Sequence, residues 1–116
     1  MTHPTSPKLL SDVLRFADSI KRSTAGKTLD DYRHDELLRA GVERWFENIG
    51  EALRRLERKD AATFAMIPAA REMIDFRNLL AHGYDMVRDD QVWHYVKTDL
   101  PALRTAVAAI LDSIEG

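Results

Sequence analysis

Leu38–Leu56, LRAGVERWFENIGEALRRL, decides the fold class of this chain. Leu38, Val42, Trp45, Ile49, Ala52 and Leu56 recur at steps of 4-3-4-3-4. That spacing keeps one apolar seam on a helix, as in an antiparallel bundle or a helical dimer interface. Phe46 and Leu53 widen the seam, so two faces of the helix are expected to be buried. The outer side carries Arg44, Glu47, Glu51, Arg54, Arg55 and Arg58, a pattern that ordinarily means a solvated face.

The segments on either side continue the helical reading. Ser6-Pro7 reads as an N-cap followed by proline at the first helical position. Leu9, Leu10, Val13, Phe16, Ala17 and Ile20 then form a stripe that ends between Ser23 and Gly26. Thr28 to His34 is polar and reads as a connection with a single turn, anchored by Leu29 and Tyr32. Pro68 is placed to open a third helix, from about Ala69 to His82, with Met73, Phe76 and Leu80 together on one side. Arg71, Asp75, Asn78 and His82 lie opposite, in a polar line flanked by Ile74, Leu79 and Ala81. Such a line suits a groove or an interface better than open solvent. Gly83 suits a left-handed residue that terminates the helix. Gln91 to Lys97 fits a short helix or an extended piece. Asp99 is placed to cap a last helix with Leu100 and Pro101 in its first turn and Leu103, Val107, Ile110 and Ile114 buried. The expectation is an all-α, antiparallel four-helix bundle, with room for a short fifth helix, in one domain over 1–116 whose residues 1–7 are flexible.

Composition narrows the function. The 116 residues carry 45% apolar and 31% charged side chains, enough for one folded core. There is no cysteine, which removes disulfides, thiolate zinc sites and thiol nucleophiles, and fits a reducing cytoplasm. No apolar run approaches the roughly 20 residues of a spanning helix, and Met1–Pro7 lacks the apolar core of a signal peptide. The expectation is a cytoplasmic protein without membrane contact. The histidines are scattered and the acids show no ligand spacing with them, so no metal site and no cofactor are expected. With a net charge of −2, any contact with nucleic acid must use a local patch, for which Arg54, Arg55, Arg58, Lys59, Arg71, Arg77 and Arg88 are available.

The chemistry concentrates in Arg77-Asn78-Leu79-Leu80-Ala81-His82-Gly83-Tyr84, the pattern R-x4-H-x-Y. Arginine can hold a phosphate, histidine can move a proton near neutral pH, and tyrosine can accept a transferred group. RNA is cut without a metal when its 2′-hydroxyl attacks the adjacent phosphate, given a proton carrier and a cation. His82 and Arg77 could fill those roles, and Asn78 could bind a phosphate oxygen or orient the imidazole one turn away. Plainer readings stand beside these: His82 as a helix cap, Arg77 as an ion-pair partner of Asp75 or Glu72, Tyr84 as a packed ring. Positions 77 and 82 are five apart, about 140° around a helix. Either the helix unwinds before His82, or Arg77 and His82 meet through a second copy; the two-fold dimer is the preferred expectation.

This motif, preceded by Ile74, together with Asn48-Ile49-Gly50-Glu51-Ala52 followed by Arg54-Arg55-Leu56, resembles the HEPN superfamily and especially its HepT-like toxin branch. Helix order and chain length agree as well. The resemblance implies a helical homodimer with metal-independent RNA cleavage in the cleft between protomers. The catalytic residues would be Arg77 and His82, with Asn78 and Arg71 toward the RNA (tRNA or mRNA) and Glu51 and Asp75 in support. It implies a toxin paired with a minimal nucleotidyltransferase antitoxin that transfers AMP to Tyr84 and silences the nuclease. The alternative is a non-catalytic HEPN subunit that binds a nucleotidyltransferase. A plain helical dimerisation module is the third reading.

Overall fold

The computed structural model describes residues 2–115. Helix α1 spans Ser6–Thr24, α2 Leu29–Arg33, α3 Glu36–Lys59, α4 Ala61–Phe64, α5 Ala70–His82, α6 Asp89–His94 and α7 Leu100–Glu115. A 3-10 turn, Tyr84–Met86, follows α5, and a π-helical turn, Tyr95–Asp99, joins α6 to α7. The chain is all-helical, and among the described residues no helix is long and apolar enough to cross a membrane.

The long helix α3 is the centre of the molecule, with α1 on one side and α5 on the other; α7 packs on α1. Val42, Ile49, Ala52 and Leu56 of the seam are buried, as are Phe46 and Leu53, so α3 does bury two faces. Trp45 and Leu38 are half-buried at one end. Glu51 meets Arg77 and Glu57 meets Arg71, so α3 and α5 run antiparallel. The Phe46 ring stands 5.4 Å from Phe76, and Phe76 stands 4.8 Å from Tyr95. These contacts tie α3, α5 and the π-helical turn into one core.

Four local expectations are corrected. Ser6 does not cap α1: Thr5 holds that position, and the Ser6 hydroxyl turns inward to donate to Asp60 Oδ2 at 2.7 Å. Thr28–His34 is a short helix, because Thr28 and Asp31 form a reciprocal capping box that satisfies two amides at its start. Tyr32, expected as an anchor there, is fully buried with its ring 5.4 Å from Trp93. Asp99 does not start the last helix. The chain is helical from Asp89 through Leu100, and Pro101 follows a widened π-turn. Proline there has no amide hydrogen to give and crowds the carbonyl four residues back, which a wider turn relieves. Gln91–Lys97 accordingly falls within helix, not in an extended piece.

Both ends of α5 also differ from expectation. Pro68 lies two residues before it, and Ala69 precedes the first helical residue with φ 63°, ψ 9°. The left-handed region disfavours a residue with a Cβ, whereas glycine adopts it freely. Ala69→Gly is therefore expected to stabilise the fold by about 0.5–1 kcal/mol, after the extra chain entropy of glycine is counted. A thermal melt that moves down would refute the strain argument. At the other end, Gly83 is not left-handed, with φ −139°. Its amide donates to Leu79 O at 2.7 Å, and the chain goes straight into the 3-10 turn. The left-handed terminal glycine is Gly26, after α1.

Asp60 fastens the beginning of the chain to the far end of α3. Its carboxylate accepts from Ser6 Oγ (2.7 Å), Thr63 Oγ1 (2.7 Å), Thr63 N (3.2 Å) and His3 N (3.2 Å). Three residues of the segment expected to be flexible, His3, Thr5 and Ser6, thus carry hydrogen bonds to Asp60 or to one another; Met1 lies outside the described residues. The bonds from the Thr63 and Ser6 hydroxyls hold the Asp60 carboxyl well below the usual aspartate range, outweighing the opposing effect of burial. A depressed folded-state pKa gives stability that is present above the unfolded value of about 4 and lost as pH falls through the folded value. Asp60→Ala is expected to cost about 2–4 kcal/mol at neutral pH, from one lost N-cap bond and three further lost bonds to the carboxylate. The gap from wild type should narrow below about pH 4. Denaturant titrations at pH 7 and pH 3 check this, and a gap that widens in acid would contradict it.

Candidate active site

The site is built where α3 and α5 approach most closely. A Cβ placed on Gly50 would lie 2.3 Å from Arg77 Cβ and 2.9 Å from Met73 O. Only glycine allows this approach, because the obstacle is partly the backbone of α5 itself. Gly50 sits within the quoted Asn48–Ala52 stretch, yet the sequence reading gave it no role. The signal was there: a glycine inside a strong helix costs about 1 kcal/mol relative to alanine, which needs a packing or functional reason.

The close approach puts Arg77 beside Glu51. The Arg77 side chain is 23% exposed and lies 3.4 Å from Glu51 Oε2. It also donates to Asn78 Oδ1 at 3.1 Å. Glu51 Oε1 accepts from Arg55 Nε at 3.3 Å. The carboxylate is therefore shared between two guanidiniums, one along α3 and one across to α5. The ion-pair partner of Arg77 is Glu51, not Asp75 or Glu72; Asp75 is exposed on another face of α5. Asn78 takes part from the position next to Arg77.

α5 remains helical through His82. The unwinding that would bring Arg77 and His82 together within one chain does not occur. In a regular helix the two side chains stand about 140° apart. Arg71, Asp75, Asn78 and His82 are all exposed, so the polar line expected in a groove faces outward in the single chain. Arg71 is engaged away from the motif: it pairs with Glu57, and its guanidinium lies 5.3 Å from the centre of the Phe64 ring. Tyr84 opens the 3-10 turn and is 77% exposed; Met86, at the end of that turn, is 68% exposed. Tyr84 is therefore not a packed ring.

A groove of about 200 Å³ between α1 and α3 is lined by Asp12, Asn48, Glu51 and Arg55 together with the apolar Leu9, Phe16 and Ala52. A carboxyl pushed toward the neutral form lies elsewhere, at Glu43, where burial raises the pKa and the Asp89 charge adds to it. Among the described residues no group of three or more His, Cys, Asp or Glu gathers as a metal site would require.

The chain thus presents an all-helical domain with a fixed arginine, an exposed histidine and an exposed tyrosine at R-x4-H-x-Y spacing. Residues 13–110 match the family model described as Ribonuclease HepT-like, and the chain belongs to the HepT-like ribonuclease family. Three relatives come from Methanocaldococcus jannaschii. "Putative RNase MJ1216" is 27% identical over 107 residues, covering 92% of this chain and 88% of that protein. "Putative RNase MJ1380" is 29% identical over 101 residues, covering 87% and 92%. "Gamma-glutamylcyclotransferase and putative RNase MJ0434" is 29% identical over 106 residues, covering 91% of this chain but 47% of that protein. The chain thus spans about half the length of this last relative. No solved structure gives a significant match.

Proposed function

We propose that this protein is a metal-independent RNA endonuclease whose active site is composite, with Arg77 from one protomer facing His82 from its two-fold partner. The observation that carries this reading is the uninterrupted α5, which holds Arg77 against Glu51 and turns His82 away from it. A symmetric pair of such helices presents the Arg77 of each copy to the His82 of the other.

In this site the 2′-hydroxyl of the substrate attacks the adjacent phosphorus and the bond to the 5′-oxygen of the next nucleotide breaks. The products are a 2′,3′-cyclic phosphate and a 5′-hydroxyl. His82 exchanges the proton, as base for the 2′-hydroxyl or as acid for the leaving oxygen. Arg77 stabilises the negative charge that accumulates on the phosphoryl oxygens. Asn78 adds a side-chain amide donor beside it. Glu51 is a positioning residue, since it fixes the guanidinium without reaching the substrate. Asp75 makes no side-chain hydrogen bond or ion pair among the described residues, and its supporting role rests on its place in the exposed line.

The same reading makes the protein a toxin controlled by a partner nucleotidyltransferase. The Tyr84 hydroxyl would attack the α-phosphorus of ATP and release pyrophosphate, leaving an adenylate two residues from His82. That group would fill the anion site beside Arg77 and block the RNA. The exposure of Tyr84 is what such a modification requires. A second reading is a non-catalytic subunit for which the exposed Tyr84–Met86 turn is a contact surface. The deciding experiment is incubation of the purified, unmodified chain, its intact mass recorded, with a mixed RNA pool including tRNA in EDTA. Cleavage supports the nuclease. Intact RNA with an unmodified protein transfers support to the binding subunit.

A further inference from the structure

Arg54 and Arg58 of α3 form no ion pair among the described residues, although acids lie close by in sequence. Those acids are taken. Glu47 faces Arg44 at 4.0 Å, Glu51 is shared by Arg55 and Arg77, and Glu57 holds Arg71. Arg54 is half-buried and Arg58 is exposed.

Their placement relative to the site follows from the helix. With Gly50 taken as the direction of α5, Arg54 and Arg58 lie about 40° and 80° around α3. They share this arc with Glu47 and Glu51, on the side where Arg77 crosses Gly50. Because α3 and α5 are antiparallel, Arg54 falls between the Glu51–Arg77 and Glu57–Arg71 contacts. Positions 54 and 58 therefore continue, along one face of α3, from the place where Arg77 crosses it, and they are about 6 Å apart along the axis. Like charges one turn apart destabilise a helix. A chain with a net charge of −2 nevertheless keeps this pair without an ion-pair partner among the described residues, beside its candidate catalytic arginine.

We propose that Arg54 and Arg58 are a phosphate-binding extension of the Arg77–His82 site, holding the backbone of an RNA strand beyond the scissile phosphodiester. This rests on the ribonuclease reading above. Guanidinium contacts to phosphate set register without reading sequence, so the extension positions the strand and leaves base choice to other contacts.

The test is binding of a fluorescent 2′-O-methyl RNA oligonucleotide, which cannot be cut, over a salt series. The full chain would be compared with Arg54→Ala, Arg58→Ala, the double variant, Arg54→Lys, and Arg22→Ala as a control on a distant exposed arginine. Each alanine at 54 or 58 is expected to reduce the slope of log affinity against log salt by roughly 0.7–0.9. The double variant should bind about tenfold or more weakly at low salt, with Arg54→Lys retaining most of the slope and Arg22→Ala all of it. An unchanged slope in the double variant, an equal loss in Arg22→Ala, or no RNA binding by wild type overturns the proposal. Cleavage of ordinary RNA is measured in parallel. Binding with the expected Arg54 and Arg58 dependence but no cleavage by unmodified wild type refutes the nuclease reading and leaves the phosphate subsite standing. Cleavage whose KM is unaffected by the double variant refutes the subsite and leaves the nuclease.

Discussion

RNA cleavage by His82→Ala is expected to fall by about 10²–10⁴-fold, the usual contribution of a positioned proton carrier. The fold should be almost untouched, within about 0.5 kcal/mol, because His82 is exposed and no side chain among the described residues hydrogen-bonds its ring. Arg77→Ala is a less clean experiment. Arg77 is half-buried and holds both Glu51 and Asn78, so its loss removes a cation and two contacts together. The two variants become decisive in combination. If each site takes Arg77 from one protomer and His82 from the other, a mixed dimer of Arg77→Ala and His82→Ala contains one intact site and one doubly damaged site. Equal mixing makes about half the dimers mixed, so about a quarter of wild-type activity should return. If both residues act within one chain, every site stays damaged and mixing restores nothing. Full activity of His82→Ala alone would end the catalytic assignment.

The parts of this molecule that were readable in advance are those where burial imprints a period on the sequence. The α3 seam, the α1 stripe of Leu9, Val13 and Ile20, and the α7 stripe of Leu103, Val107 and Ile110 all face the core because a long helix against a flat neighbour buries every third or fourth residue. The R-x4-H-x-Y spacing was readable for a different reason: once α5 is a helix, the angle between Arg77 and His82 is arithmetic. What escaped the sequence is set by contacts between segments. α2 has five residues, too few for a periodic stripe, and only its Thr28–Asp31 capping box announces it. Pro101 reads as a helix start, but the chain is already helical through the preceding turn, where Tyr95 packs on Phe76. Ser6 reads as a cap until Asp60, far away in sequence, claims its hydroxyl. Glu51, expected either to orient Arg77 or to pair with an arginine of its own helix face, meets both Arg77 and Arg55, because the α3–α5 crossing brings Arg77 within reach.

That crossing makes Gly50→Ala the most informative change in the scaffold. Alanine is the better helix former by about 1 kcal/mol, so α3 considered alone would gain. The crossing reverses the sign. The new methyl would lie 2.3 Å from Arg77 Cβ, 2.9 Å from Arg77 Cγ and 2.9 Å from the Met73 carbonyl. A side-chain rotamer can move the Cγ, but the Cβ and the carbonyl move only with α5. Forced separation of packed elements costs about 1–3 kcal/mol, so after the propensity gain is subtracted the net effect is expected to be destabilising by up to about 2 kcal/mol. The effect on chemistry should be larger. Retreat of α5 draws Arg77 off Glu51, and a displacement near 1 Å at a positioning group costs about 100-fold in rate. Gly41→Ala supplies the comparison on the same helix. A Cβ there would meet only the Trp45 ring, at 3.6 and 3.7 Å, which is ordinary contact. It should be neutral or stabilising by up to about 1 kcal/mol, with cleavage retained. Circular dichroism melts and cleavage rates on the two variants separate the cases. A Gly50→Ala protein as stable and as active as Gly41→Ala would mean that the α3–α5 approach does not position Arg77.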